Sequence, residues 1–239
     1  MARYINASDT PSILGSGYGF YWAKQEKIYS ILNKYQPIQE KRYIDDLQPE
    51  EIEQISNSIK QVSGSCSGSD LEEDLNKLED KICHHENDKD YLQARNAFIN
   101  TLPTSQIKLN AEASIGVKRG NIVEEQIINR DKFQKTNNMN YYSFSINNQE
   151  YKIGGRFDVD SGMEIKTRLN RFLGVKEFEK VQCTWYMKMS NLTSWILRER
   201  YNDQEKDHVV SFDEEYLAKL QTDLHNAWES HRTNIETFN

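Results

Sequence analysis

The chain has 239 residues, 37% of them hydrophobic, and a formal charge of −7 from 30 Lys and Arg against 37 Asp and Glu. That length suits one large α/β domain, or a core domain with a helical attachment. No run approaches the roughly 18 apolar residues of a membrane-spanning helix, and the opening MARYINASDT lacks the apolar core of a signal peptide, so a soluble, intracellular protein with no membrane partner is expected.

In chain order, Tyr21 to Leu32 reads as an amphipathic helix, with Ala23, Ile28, Ile31 and Leu32 among its apolar positions. The acidity follows it. Residues 40–90 hold fifteen Asp and Glu against six Lys and Arg, which leaves 22 acids and 24 bases elsewhere. Net charge therefore excludes no nucleic-acid partner, because one segment carries it. Within that segment Ser63 to Ser69, SGSCSGS, has the composition of a flexible linker, between helical pieces Glu50 to Val62 and Leu71 to Ile99. Cys66, Cys83 and Cys183 are odd in number and lack Cys-x-x-Cys spacing, which argues against a disulfide framework, a zinc ribbon or an iron–sulfur site. Cys83-His84-His85 is a lone candidate metal cluster, but adjacent helical residues point in different directions, so a solvated face is the expectation there.

A further helical run begins after Gly120, with Val123, Ile127 and Ile128 on one side. Tyr141 to Ile146, the turn Asn147-Asn148, and Gln149 to Val159 read as two strands. Met163 to Arg168 adds a third and makes a meander. Phe178, Val181, Trp185 and Met189 recur at helical spacing, Ser194 to Arg200 and His208 to Phe212 read as strands, and Glu214 to Trp228 is a closing helix. The expected architecture is an α/β core over 111–239 preceded by a helical part over 1–110, the latter containing a flexible acidic insertion around 45–90.

The stretch GGRFDVDSGMEIKTR, Gly154 to Arg168, carries the chemistry. Residues two apart on a strand share a face, so Glu164 and Lys166 go together and Met163 and Ile165 face the other way. A two-residue loop at Ser161-Gly162 would set Val159 opposite Glu164 and mix the faces. A three-residue loop, Asp160-Ser161-Gly162, sets Val159 opposite Met163 and Asp158 opposite Glu164, and gives Gly162 the left-handed position such loops favour. Like charges opposite one another are destabilising. A divalent cation shared by both carboxylates would offset that repulsion, and Mg²⁺ takes oxygen ligands while retaining water and phosphate oxygens. Lys166 lies one step further on that face. Glu124 borders the inward side of its helix, where a carboxylate needs a partner, with Glu125 as the alternative. Gln182, four residues after Phe178 and three before Trp185, sets an amide beside a packed stripe.

In this order the residues resemble the PD-(D/E)xK nuclease superfamily, and more narrowly the lambda-exonuclease-like, YqaJ-type viral recombinase nucleases. Gly120-Asn121-Ile122-Val123-Glu124 is similar to the family's Gly-x-x-x-Glu helix, Asp158 and Glu164-Ile165-Lys166 to its Asp strand and Glu-x-Lys, and Gln182 to Met187 to its Gln-initiated helix. Asn6-Ala7-Ser8 and Ile13-Leu14-Gly15 resemble its N-terminal motif. Arg156-Phe157 stands where many members have Ser-Pro, Thr184 where many have a second Gln, and Arg3 is the sole base before Ser8.

The resemblance implies a restriction-endonuclease-like core, a mixed central sheet flanked by helices. It implies a metal-dependent deoxyribonuclease using Mg²⁺ or Mn²⁺, acting as a 5′-to-3′ exonuclease on double-stranded DNA in viral or phage recombination. A structure-specific endonuclease and an inactive DNA-binding protein are the alternatives. Asp158, Glu164, the Ile165 carbonyl and Glu124 would hold metal, and Lys166 and Gln182 would position water. Lys118, Arg119, Arg168, Arg171 and Lys176 are candidates for phosphate contact, although each alone reads as an ordinary surface base. Ser8 is a candidate for the 5′-phosphate. DNA, a single-strand annealing protein and further copies of the chain are the implied partners.

Overall fold

The structure is a computed structural model that describes residues 2–18, 28, 31–32, 47–64, 70–136 and 138–236. The expected helix Tyr21 to Leu32 lies outside them except at Ile28, Ile31 and Leu32, which are helical, and residues 65–69 of the Gly/Ser run lie outside them with Cys66. The described elements are β1 (Arg3–Asn6), α1 (Thr10–Leu14), a 3-10 turn (Gly15–Tyr18), α2 (Pro49–Ser63), α3 (Leu71–Cys83), α4 (Asp88–Thr101), α5 (Ser105–Asp131), β2 (Asn140–Ile146), β3 (Gln149–Gly155), β4 (Met163–Thr167), α6 (Glu177–Ser190), β5 (Ser194–Tyr201), β6 (Gln204–Ser211) and α7 (Glu214–Glu236). The fold is α/β.

The chain divides into two compact units, 1–38 with 131–200 and 205–239, and 39–130 with 201–204. The expected division is at 110/111. One helix runs unbroken from Ser105 to Asp131, so Gly120 lies inside it and does not start it. The N-terminus leaves the helical part as well, because Arg3–Asn6 is a strand that pairs in parallel with Tyr151–Gly154.

The sheet unit holds two three-stranded sheets, ordered β1-β3-β2 and β4-β5-β6. β2 and β3 form the expected antiparallel hairpin. Asn147 and Asn148 at its tip have φ of 49° and 64°, the pair of positive values that a two-residue turn needs to match strand twist. The three-strand meander is not formed: β4 meets the preceding segment only at the bridge Val159–Met163 and pairs in parallel with β5. Val159 is bridged on its other side to Lys135, so no long third ladder can grow there. The core alternates as a half-buried hairpin should. Phe144 faces inward, stacked on Tyr151 at 5.0 Å and on Trp185 at 5.9 Å. Val181 and Trp185 put the expected α6 stripe in that core, with Leu217, Leu220 and Leu224 from α7. β6 starts at Gln204, ahead of the expected His208, and α7 runs past Trp228.

In the helical unit, the expected single run Leu71 to Ile99 is two helices. Asn87 breaks it, its side-chain oxygen accepting from Asp90 N at 2.9 Å as the cap of α4. Asp70 caps α3 likewise, accepting from Glu73 N at 3.1 Å. Cys83 is buried and donates to Ile115 O at 3.5 Å, so it does not lie on the expected solvated face; burial pushes its thiol up to about 11. Among the described residues no group of three or more His, Cys, Asp or Glu could hold a metal ion. No helix among them is long and apolar enough to cross a membrane.

Candidate functional site

Gly162, at φ +92°, closes the three-residue loop in the expected register. Val159 N donates to Met163 O at 3.3 Å and Gly162 N to Val159 O at 3.2 Å. The loop returns β4 beside Asp158, whose Oδ2 accepts from Ile165 N at 2.7 Å. N–H and C=O of one strand residue point to the same edge, so the Ile165 carbonyl faces the Asp158 side too.

Glu164 projects from the face of β4 opposite the Ile165 side chain and is 4% exposed. Its Oε1 accepts from Lys166 Nζ at 2.5 Å and from Gln182 Nε2 at 3.0 Å, while Lys166 Nζ also donates to Gln182 Oε1 at 3.4 Å. The amide is thus aligned with its NH₂ to the carboxylate and its oxygen to the ammonium. Burial would lower the Lys166 pKa, but the Glu164 carboxylate, with Asp158 and Glu179 behind it, outweighs burial and raises it. Lys166 is therefore a fixed cation and not a base at neutral pH. Glu164 Oε2 is buried with no hydrogen-bond partner among the described residues, an arrangement that costs about 1–3 kcal/mol or more for a charged group. That orphaned oxygen, with Asp158 and the Ile165 carbonyl nearby in sequence and register, fits a hard cation that completes its shell with water and phosphate oxygens.

Sequence reasoning missed Tyr186, one helical turn after Gln182 and so on the same face. Its hydroxyl accepts from Gln182 Nε2 at 2.8 Å. Burial first, then the Glu164 carboxylate, raise the Tyr186 pKa, so the phenol stays neutral. Tyr186 lies on Gly155, where an added Cβ would stand 2.4 Å from Tyr186 Cε1; Gly154 is covered by Tyr4 in the same way, at 2.4 Å from its hydroxyl oxygen. The glycine pair before Asp158 thus seats two tyrosines, one of which holds the site's amide. Ala7 also borders Gly155. The Asn6-to-Thr10 turn is locked by Ala7 N to Gly154 O at 2.7 Å and by Trp185 Nε1 to Thr10 Oγ1 at 3.0 Å, and it carries Ser8 exposed.

The remaining predicted residues divide. Glu124 is half-buried on α5, in the helical unit, and Glu125 is exposed there. Lys118 and Arg119 belong to that unit too, and neither is a free surface base. Lys118 pairs with Asp80 at 2.9 Å. Arg119 is 2% exposed, donates to Cys83 O at 2.6 Å and His85 O at 2.8 Å, and pairs with Asp88 at 3.2 Å, so it ties α3 and α4 to α5. Arg168 is likewise committed, through Nε to Glu199 at 2.6 Å and through Nη2 to Glu179 at 2.7 Å. Arg168 thus braces two carboxylates, and Arg119 holds one carboxylate and two backbone carbonyls, so neither is the ordinary surface base expected to contact phosphate. Arg171 is exposed and Lys176 half-buried. Glu199 is the second residue the sequence did not flag. Fully buried, it also accepts from Leu173 N and Gly174 N at 3.0 Å each and faces His208 Nε2 at 2.8 Å.

No protein-family model matches the chain, and no curated protein matches it. Among solved structures the chain is similar to one described as the crystal structure of SSO0001, at 17% identity over 63% of this chain and 82% of that one, with a TM-score of 0.40. A likeness of that degree bears on neither chemistry nor partner.

Proposed function

We propose that the chain is a Mg²⁺-dependent deoxyribonuclease of the PD-(D/E)xK type with a restriction-endonuclease-like core, acting as a 5′-to-3′ exonuclease on double-stranded DNA. The observation that carries this reading is the cluster of Asp158, Glu164, Lys166 and Gln182, with one buried Glu164 oxygen left unpaired. Asp158, Glu164 and the Ile165 carbonyl would hold the metal, which when bound lowers the pKa of its water and neutralises phosphate charge. Lys166, kept protonated by Glu164, places a positive charge and donors beside the scissile phosphate, where developing negative charge is stabilised. Gln182, aligned by Glu164, Lys166 and Tyr186, orients the attacking water. Asp158 also fixes β4 through Ile165 N, so its position is set before substrate arrives. Mn²⁺ would suit the same oxygen donors.

The test is end-labelled linear duplex against closed circular DNA with Mg²⁺, for wild type, Glu164→Gln and Lys166→Ala. Wild type should release nucleotides from linear DNA only. Both variants should lose cleavage while unfolding cooperatively. A Lys166→Ala protein with wild-type activity would sink the assignment, and rapid cutting of circles would replace the exonuclease with an endonuclease.

A further inference from the structure

The loop that leaves β4 encloses a recess of about 510 Å³ lined by Thr167, Arg168, Leu169, Asn170, Arg171 and Leu173. We propose that this recess binds one nucleotide unit of the DNA strand next to the bond being cut, with the base against Leu169 and Leu173 and a phosphate on Arg171. The inference rests on the nuclease reading above and adds a subsite to it.

Four observations carry it. The recess wall includes Arg168, two residues after Lys166 and so on the same side of the chain, which sets the wall beside the proposed chemistry. The loop is held from behind. Glu199 accepts from Arg168, Leu173 N and Gly174 N, and Glu179 from Arg168. Those bonds fix the wall before a ligand arrives, which reduces the ordering cost of binding.

The lining is also chemically mixed in the way a nucleotide requires. Leu173 is 39% exposed, an apolar surface for a base to cover. Thr167 Oγ1 is buried without a hydrogen-bond partner among the described residues, and Asn170 presents an exposed amide with both donors and an acceptor. Finally, the charge is uneven. Arg168 is neutralised by two carboxylates, whereas Arg171 is exposed and has no carboxylate partner among the described residues. The recess offers one uncompensated cation. Its volume falls in the roughly 300–1,000 Å³ range of small-molecule sites, room for one nucleotide and not for a duplex.

The test measures binding without chemistry. A fluorescein-labelled hexamer of thymidylate and the same hexamer with one internal abasic position are titrated onto the full chain in EDTA, by anisotropy, for wild type, Arg171→Gln, Asn170→Ala and Leu173→Ala. Wild type should bind the intact hexamer at least fivefold tighter than the abasic one. Leu173→Ala should abolish that difference, and Arg171→Gln should weaken both hexamers alike and remove competition by inorganic phosphate. Equal binding of the two hexamers by wild type, or unchanged binding by Leu173→Ala and Arg171→Gln, overturns the subsite. If the hexamers bind as stated but no metal-dependent cleavage exists, the subsite stands and the nuclease reading falls. If DNA is cleaved and these variants bind as wild type does, the nuclease reading stands and the subsite falls.

Discussion

Tyr186 holds one of the two amide hydrogens of Gln182, and its ring occupies the space over Gly155. Tyr186→Phe keeps the ring and removes the acceptor. A hydrogen bond of this kind contributes about 0.5–1.5 kcal/mol, so single-turnover cleavage should fall roughly two- to tenfold with the melting temperature nearly unchanged. Gly155→Ala should cost more activity, because its Cβ displaces the ring itself. Glu199 gives a pH prediction. Burial alone would raise its pKa, but Leu173 N–H, Arg168, Gly174 N–H and His208 outweigh burial and hold it at about 2, below the ordinary 4.5. A depressed carboxylate stabilises the fold above its ordinary value. That contribution is complete above pH 4.5 and is lost as pH falls toward 2. Glu199→Gln should destabilise by about 3–5 kcal/mol at neutral pH, as breaking a buried ion pair does, and should flatten the pH dependence in that window, read by urea unfolding from pH 2 to 6. The carboxylates and Lys166 were legible because strand alternation and loop length fix which residues share a face. Glu199 was not, since its partners sit 25–31 residues earlier or nine later in the chain and no local period encodes that.

At the scale of elements, the 160–162 loop, the Asn147-Asn148 turn and α6 could be read because their signals are local: positive-φ residues at turns and a 3.6-residue period. β1 could not. Four residues, RYIN, are too few to show alternation, and the strand exists through its parallel partner 148 positions away. α5 hid its first half for a different reason. Its apolar residues Ile107, Ala111 and Ile115 are diluted by polar neighbours and by Gly116 and Gly120, and a glycine inside a helical pattern reads as a boundary. A Cβ at Gly120 would meet nothing within 4 Å among the described residues. Gly120→Ala should therefore stabilise the helical unit by ~0.5–1 kcal/mol with cleavage unchanged. Loss of cleavage in a stabilised variant would show that DNA approaches the helix backbone there.

Across the whole molecule the charge is split. The helical unit has 19 acidic and 11 basic residues, the sheet unit 18 and 19. A polyanion is repelled by the first and nearly indifferent to the net charge of the second, so phosphate contacts should fall on the sheet unit. Each phosphate neutralised adds about 0.9 to the slope of log affinity against log salt on duplex DNA. Arg171→Gln should reduce that slope by about one contact, and Lys118→Gln should leave it unchanged, as measured by duplex binding from low to moderate salt. The separation of β1 from β3 has a consequence during synthesis. Arg3 is opposite Tyr151, and the sequence of the helical unit, 39–130, lies between them. At about 5–20 residues per second, β1 spends roughly 7–30 s without its partner strand while that sequence leaves the ribosome. A nascent chain shorter than 155 residues thus carries Tyr4 and Ile5 unpaired, and any translational pause before that point lengthens the time in which they can join a wrong edge.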